Sequence, residues 1–130
     1  MKIFGVGNDV VEIFRFKKIL NKKNNRKIKN RLFSKTEIKS CKIRKKYVEC
    51  FAKRFAAKEA FSKSLGTGIA RGLNFNEIEV KNDNKRKPYL NIKGQSLKVT
   101  KKILKKKKFK TFLSLSDDNK YAFATVILTV

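Results

Sequence analysis

The chain has no histidine and no tryptophan, one proline, two cysteines and only ten acidic residues among 130. Without histidine, Cys41 and Cys50 cannot complete a zinc site, and their spacing fits no metal motif. They read as ordinary thiols of a reducing compartment. No stretch reaches the roughly 18 apolar residues that span a bilayer. The N-terminus enters a strand-like pattern at once and lacks the charged, apolar, small-residue order of a signal peptide. The expectation is a cytoplasmic chain with no membrane role. At this length a single domain, 1–130, is expected. Hydrophobic residues make up 41% and include eleven Phe, enough for a core.

Base is in excess: 35 Lys and Arg give a net charge of +25. Such a charge points to a polyanionic partner. It also fits compositional drift, since 28 of the 35 are Lys and Asn is abundant. Bidentate recognition of bases or phosphates leans on Arg instead. Charge alone therefore decides little.

The scarce acids carry more information. Asp9 closes the apolar stretch MKIFGVGND, and Glu59 lies within the helical run FAKRFAAKEAFSKSLGTG. Two carboxylates beside Lys and Arg suggest a divalent cation and a phosphate-bearing substrate, because Mg²⁺ keeps part of its shell for water and phosphate oxygens. Each has a plainer use. Asp9 fits equally the N-cap of the following helix. Glu59 fits an i,i+4 pair with Lys63, although the apolar row Phe51, Phe55, Glu59 calls for a strong partner.

Along the chain, residues 2–10 read as a short buried strand ending at Asp9, and 12–23 as a helix with Ile13, Phe16, Ile19 and Leu20 on one face. Arg15, Lys18 and Lys22 form a basic stripe on another face. Residues 21–30 are polar and helix-poor and read as a loop or a frayed helix end. Ser34 and Glu37 form a capping-box signature that opens a short helix. Residues 47–65 contain no Gly or Pro and stop at Gly66, which predicts a long central helix. A glycine-rich loop follows (66–72), then a strand over 73–80, a turn, and a short strand begun by Pro88. A helix over 95–106 and a final hairpin complete the chain. KKKK at 105–108 reads as the solvated end of that helix, and the Asp pair at 117–118 as turn formers. This order describes an α+β domain with a largely antiparallel sheet.

GNDVVEIFRF, FAKRFAAKEAFSKSLGTGI and SLSDDNKYAFATVIL together resemble the holo-acyl-carrier-protein synthases, the small single-domain 4′-phosphopantetheinyl transferases. The resemblance covers nearly the whole chain and implies that family's fold. It implies transfer of 4′-phosphopantetheine from coenzyme A to a serine of an acidic apo acyl carrier protein, with Mg²⁺ as cofactor and adenosine 3′,5′-bisphosphate released. Asp9 and Glu59 match the metal ligands, and Lys63 the lysine on the coenzyme A phosphates. Arg54 and Lys58 match basic positions of the same motif, Arg54 being the stronger match for a phosphate contact. Gly66 and Pro88 match backbone positions lining the nucleotide site, and Asp117 stands where many members carry His. Glu59 is then a candidate for taking the serine proton, directly or through water. Arg15, with Lys18 and Lys22 beside it, would meet the carrier protein. Val11 replaces the second acid of larger transferases. Members of that family are typically homotrimers with sites at subunit interfaces. The rival readings are a basic nucleic-acid-binding module, which leaves Asp9 and Glu59 unexplained, and an inactive scaffold of the same fold. No specific nucleic acid is expected as partner.

Overall fold

The computed structural model describes residues 1–130. A first strand, β1 (Ile3–Glu12), leads into three short helices, α1 (Ile13–Leu20), α2 (Asn25–Leu32) and α3 (Lys35–Lys42). The long helix α4 (Tyr47–Leu65) follows. A 3₁₀ turn (Phe75–Glu77), β2 (Ile78–Asn82), β3 (Pro88–Ile92), α5 (Gly94–Leu104), β4 (Lys110–Asp117) and β5 (Tyr121–Thr129) complete the chain. The strands form two sheets, three-stranded β1-β5-β4 and two-stranded β2-β3, and every pairing is antiparallel. The α+β expectation holds, with the strands divided between two sheets.

Helix α4 is the axis of the domain. Its Ala52, Ala56, Ala57 and Ala60 are fully buried, as suits a helix enclosed on several sides. Gly66 ends it in the left-handed region at φ 85°. The Gly66 N–H donates to the Lys63 carbonyl and the Thr67 N–H to that of Ser62, which closes a Schellman motif. Two cores meet on this helix. One joins Ala56, Ala57, Ala60 and Phe61 to both sheets and α5. The other packs the N-terminal half of α4 under α1, α2 and α3, where the Phe33 and Phe51 rings lie 4.8 Å apart and those of Phe16 and Phe55 5.2 Å apart.

Five local expectations are corrected. Residues 21–30 are not a loop throughout, because α2 begins at Asn25. Its propensity is poor, but Leu32 enters the aromatic core with Ile28 against it, and tertiary packing overrides propensity. Strand β1 runs on past Asp9 to Glu12, where it still pairs with Tyr121 of β5. The predicted strand over 73–80 starts only at Ile78. Before it, Glu77 turns to accept hydrogen bonds from the Gln95 and Ser96 N–H groups, tying the 3₁₀ turn to the start of α5. Cys41 and Cys50 are not separate thiols but form a disulfide between α3 and α4, with Cα atoms 5.6 Å apart. The short connection between these helices brings the end of one against the start of the other. At the far end of α5, Lys105 takes φ 55° and closes the helix, so most of the KKKK run lies beyond it.

The capping box is present as expected: Ser34 Oγ accepts from the Glu37 N–H, and Glu37 accepts from the Ser34 N–H. The same serine donates to the buried Glu79 of β2 at 2.6 Å. Burial opposes the charge on Glu79, but hydrogen bonds from Ser34, Thr36 and Asn91, with the Lys93 charge, outweigh it and pull its pKa down to about 2 from 4.5. A folded-state pKa below the ordinary one contributes stability above pH 4.5 that is lost as pH falls toward 2. Glu79→Gln is expected to cost about 2 kcal/mol at pH 7 in urea unfolding. The gap to the parent should close across that acid window, and a constant gap there would refute the assignment.

Candidate active site

Strand alternation puts Gly5, Gly7, Asp9 and Val11 on one face of β1, the face that meets α4. The approach is backbone to backbone. A Cβ on Gly5 would stand 2.0 Å from the Ser64 carbonyl oxygen, and one on Gly7 1.8 Å from that of Ala60. Both glycines are therefore required by sterics. Two residues further on, where β1 regains a side chain, the Asp9 carboxylate is aimed at the last turns of α4. Lys63 Nζ donates to Asp9 Oδ1 at 3.0 Å and to the Asn8 carbonyl at 3.0 Å. Asp9 is 14% exposed and Lys63 50%.

Glu59 sits one helical turn before Lys63 and is half-buried. Its pKa is raised, first by burial and then by the negative charge of Asp9, with Lys63 opposing. The site thus holds two carboxylates close enough to repel and one ammonium between strand and helix. The plainer roles both fail. Glu12, not Asp9, occupies the N-cap of α1, and Lys63 turns to Asp9 across the gap instead of pairing along the helix with Glu59. No third carboxylate or thiol joins the pair, and Val11 stands where a further acid could have been.

The other candidates fall into separate places. Lys58 is corrected: it is 0% exposed, and its ammonium donates to Glu37 Oε1 at 2.7 Å and to the Phe75 and Ile78 carbonyls at 2.8 and 2.7 Å. It is a core cation with no surface to offer a phosphate. Arg54 is also buried, and its Nη1 donates to the Cys50 carbonyl and lies 3.0 Å from Cys50 Sγ. Asp117 ends β4 and pairs with Lys53 at 3.1 Å. Pro88 opens β3 opposite Asn82. Within one chain neither Asp117 nor Pro88 contacts Asp9 or Glu59. The N–H groups of Gly66, Thr67 and Gly68 are all spent on α4 carbonyls, so this stretch of the glycine-rich loop makes room instead of cradling an anion. Arg15 and Lys18 are exposed on α1, and Lys22 lies past its end.

Three features escaped the sequence reading. Gly5 and Gly7 are one, signalled only by alternate glycines in a strand. Another is Phe14, 63% exposed beside the basic stripe, with Lys18 Nζ 4.7 Å from its ring centroid. The last is the outer face of the three-stranded sheet, where Phe4, Val6, Val10, Phe112 and Phe123 are all exposed. A cavity of about 780 Å³ between β3, α5 and β4 contains none of the candidate residues.

The family model of the 4′-phosphopantetheinyl transferase superfamily matches residues 5–126. A holo-acyl-carrier-protein synthase of Pelagibacter ubique is 47% identical over 128 residues, 98% of each chain. One from Buchnera aphidicola is 43% identical over 129 residues, again 98% of each. Among solved structures, the Neisseria meningitidis synthase superposes with a TM-score of 0.85 at 33% identity, covering 98% of this chain and 99% of that one. The Helicobacter pylori synthase in complex with coenzyme A gives 0.80 at 28% identity, with 95% and 99% covered. The chain belongs to the 4′-phosphopantetheinyl transferase superfamily.

Because Gly7 sets the separation of β1 and α4, Gly7→Ala is expected to lower stability by about 2 kcal/mol or more. A thermal melt unchanged from the parent would show that β1 and α4 can part without cost.

Proposed function

We propose that this chain transfers 4′-phosphopantetheine from coenzyme A to a serine hydroxyl of an apo acyl carrier protein. The observation that carries the reading is the convergence of Asp9, Glu59 and Lys63 across the β1–α4 contact, in a chain 47% identical to a protein of that activity. The serine oxygen forms a bond to the β-phosphorus of coenzyme A. The bond from that phosphorus to the bridging oxygen breaks, and adenosine 3′,5′-bisphosphate leaves with the electron pair.

Two carboxylates without histidine or free thiolate form a hard oxygen donor set, which fits Mg²⁺ and not zinc. Asp9 and Glu59 would hold the ion, whose chemistry is to neutralise phosphate charge as a Lewis acid. Glu59, half-buried one helical turn before Lys63, would take the serine proton, directly or through water. Lys63, half exposed at the mouth, neutralises the coenzyme phosphates. Arg15, Lys18 and Lys22 beside the exposed Phe14 offer the acidic carrier a charged and apolar landing, with an attraction that falls with salt. A nucleic-acid-binding reading would leave the carboxylate pair without a use.

The reading extends to assembly and location. A homotrimer with sites at subunit interfaces is supported by the exposed apolar outer sheet face, of a kind that marks association. It is also supported by the separation of Asp117 and Pro88 from Asp9 within one chain. Cytoplasmic action goes with the same reading, and no helix is long and apolar enough to cross a membrane.

Incubation with coenzyme A, Mg²⁺ and an apo acyl carrier protein is expected to raise the carrier mass by about 340 Da, the phosphopantetheine arm. Glu59→Ala or EDTA should abolish the gain, and added salt should slow it. An unmodified carrier across several candidates would overturn the proposal. Sedimentation should give three times the 15.1 kDa chain mass. Val6→Lys, which puts a charge on the outer sheet face, should yield monomers that have lost turnover. A parent chain that sediments as a monomer and still turns over would remove the interface site.

A further inference from the structure

We propose that Lys63 is the resident counter-ion of Asp9, and that it must release this carboxylate when a divalent cation enters. Lys63 would thereby couple cation binding to capture of the coenzyme phosphates. The inference rests on the transferase reading and adds to it a residue that sets metal affinity.

The geometry supplies the reason. Lys63 Nζ donates to both Asp9 Oδ1 and the Asn8 carbonyl at 3.0 Å. The ammonium therefore rests on the same carboxylate that would hold a cation. Its i,i+4 neighbour Glu59 lies on the same helix, yet the ion pair is made across the gap to β1. Glu59 and Asp9 repel one another, as the raised pKa of Glu59 reflects, and Lys63 is the single cation that offsets this repulsion. With two carboxylates and one ammonium the site carries a net single negative charge. A divalent cation reverses that sign. The ammonium then faces a like charge at a few ångströms, and no other acid joins this cluster to receive it.

Lys63 is half exposed, and its four-carbon stem can swing without disturbing the core. An anionic phosphate at the mouth is the partner then open to it. Metal and coenzyme should accordingly bind with positive coupling, because each removes a penalty met by the other. Without the coenzyme, Lys63 competes with the metal. With it, the freed ammonium is reused.

The test is the affinity for Mn²⁺, read from the electron paramagnetic resonance of the free ion, with and without coenzyme A. Lys63→Met is compared with the parent and with Lys63→Arg, each verified as folded by circular dichroism. Without coenzyme, Lys63→Met is expected to bind Mn²⁺ about fivefold more tightly than the parent, and Lys63→Arg to stay close to the parent. Coenzyme A should tighten Mn²⁺ binding in the parent and much less in Lys63→Met. Unchanged or weaker binding in Lys63→Met overturns the inference. If Glu59→Gln still abolishes Mn²⁺ binding in that case, the transferase reading survives. If parent binding does not depend on Glu59, both fall.

Discussion

The closeness of β1 to α4 is the constraint on which the rest of the structure depends. Gly5 and Gly7 leave no side chain between strand and helix, and Ala60 and Ser64 present their carbonyl oxygens to the gap. Cross-strand alternation then delivers Asp9 to the same face two residues later. Helical periodicity delivers Glu59 and Lys63 to meet it. Neither element alone makes a site. A bulkier residue at either glycine would separate the carboxylates by the thickness of a side chain, at a separation where electrostatics is steep. The meeting of Asp9 and Lys63 is thus a by-product of packing at two positions that carry no chemistry.

A second anchor holds α4 from the other side. Lys58 and Glu37 form an ion pair with both side chains fully buried, and Glu37 also accepts from the Val80 N–H of β2. Burial pushes the Lys58 pKa down, with Glu37 opposing. A buried pair gains little over an apolar one, but removing one partner leaves a stranded charge. The pair therefore specifies which way α3, α4 and β2 face one another more than it adds stability. The disulfide between Cys41 and Cys50 joins α3 to α4 a little further along. Helix α4 is gripped by glycine contact on the side that faces Asp9 and by charge and sulfur on its other side.

This division explains what could be read without coordinates. Helix α4 was legible to its ends because composition, length and the Gly66 stop agree. Asp9, Glu59 and Lys63 were legible as scarce acids in a basic chain and as residues four apart. The closing hairpin was legible from alternation and its turn. Lys58 was not, because a lysine in a lysine-rich helix looks like solvent-facing charge, and its partner lies 21 residues away. The inward turn of the Arg54 guanidinium to Cys50 was hidden for the same reason. Helix α2 was hidden because packing against α1, not its own composition, makes it helical. The disulfide was hidden because a spacing of nine residues says nothing about how two helices meet.

The distribution of the remaining candidates carries the synthesis one step further. Asp9, Glu59 and Lys63 converge within the chain, whereas Asp117 and Pro88 lie elsewhere on it. A chain of 130 residues has little interior beyond its core, so the proposed binding of a long multiply charged coenzyme would draw on surface from outside. The apolar outer face of β1, β5 and β4 is where a further copy could supply it, because burying Val6, Val10 and Phe123 favours association without any polar match. Glycine contact, a pinned carboxylate and an uncovered sheet face then become parts of one arrangement. In the proposed assembly the inner face of β1 would build half of a site, and the outer face of the same strand would recruit the other half.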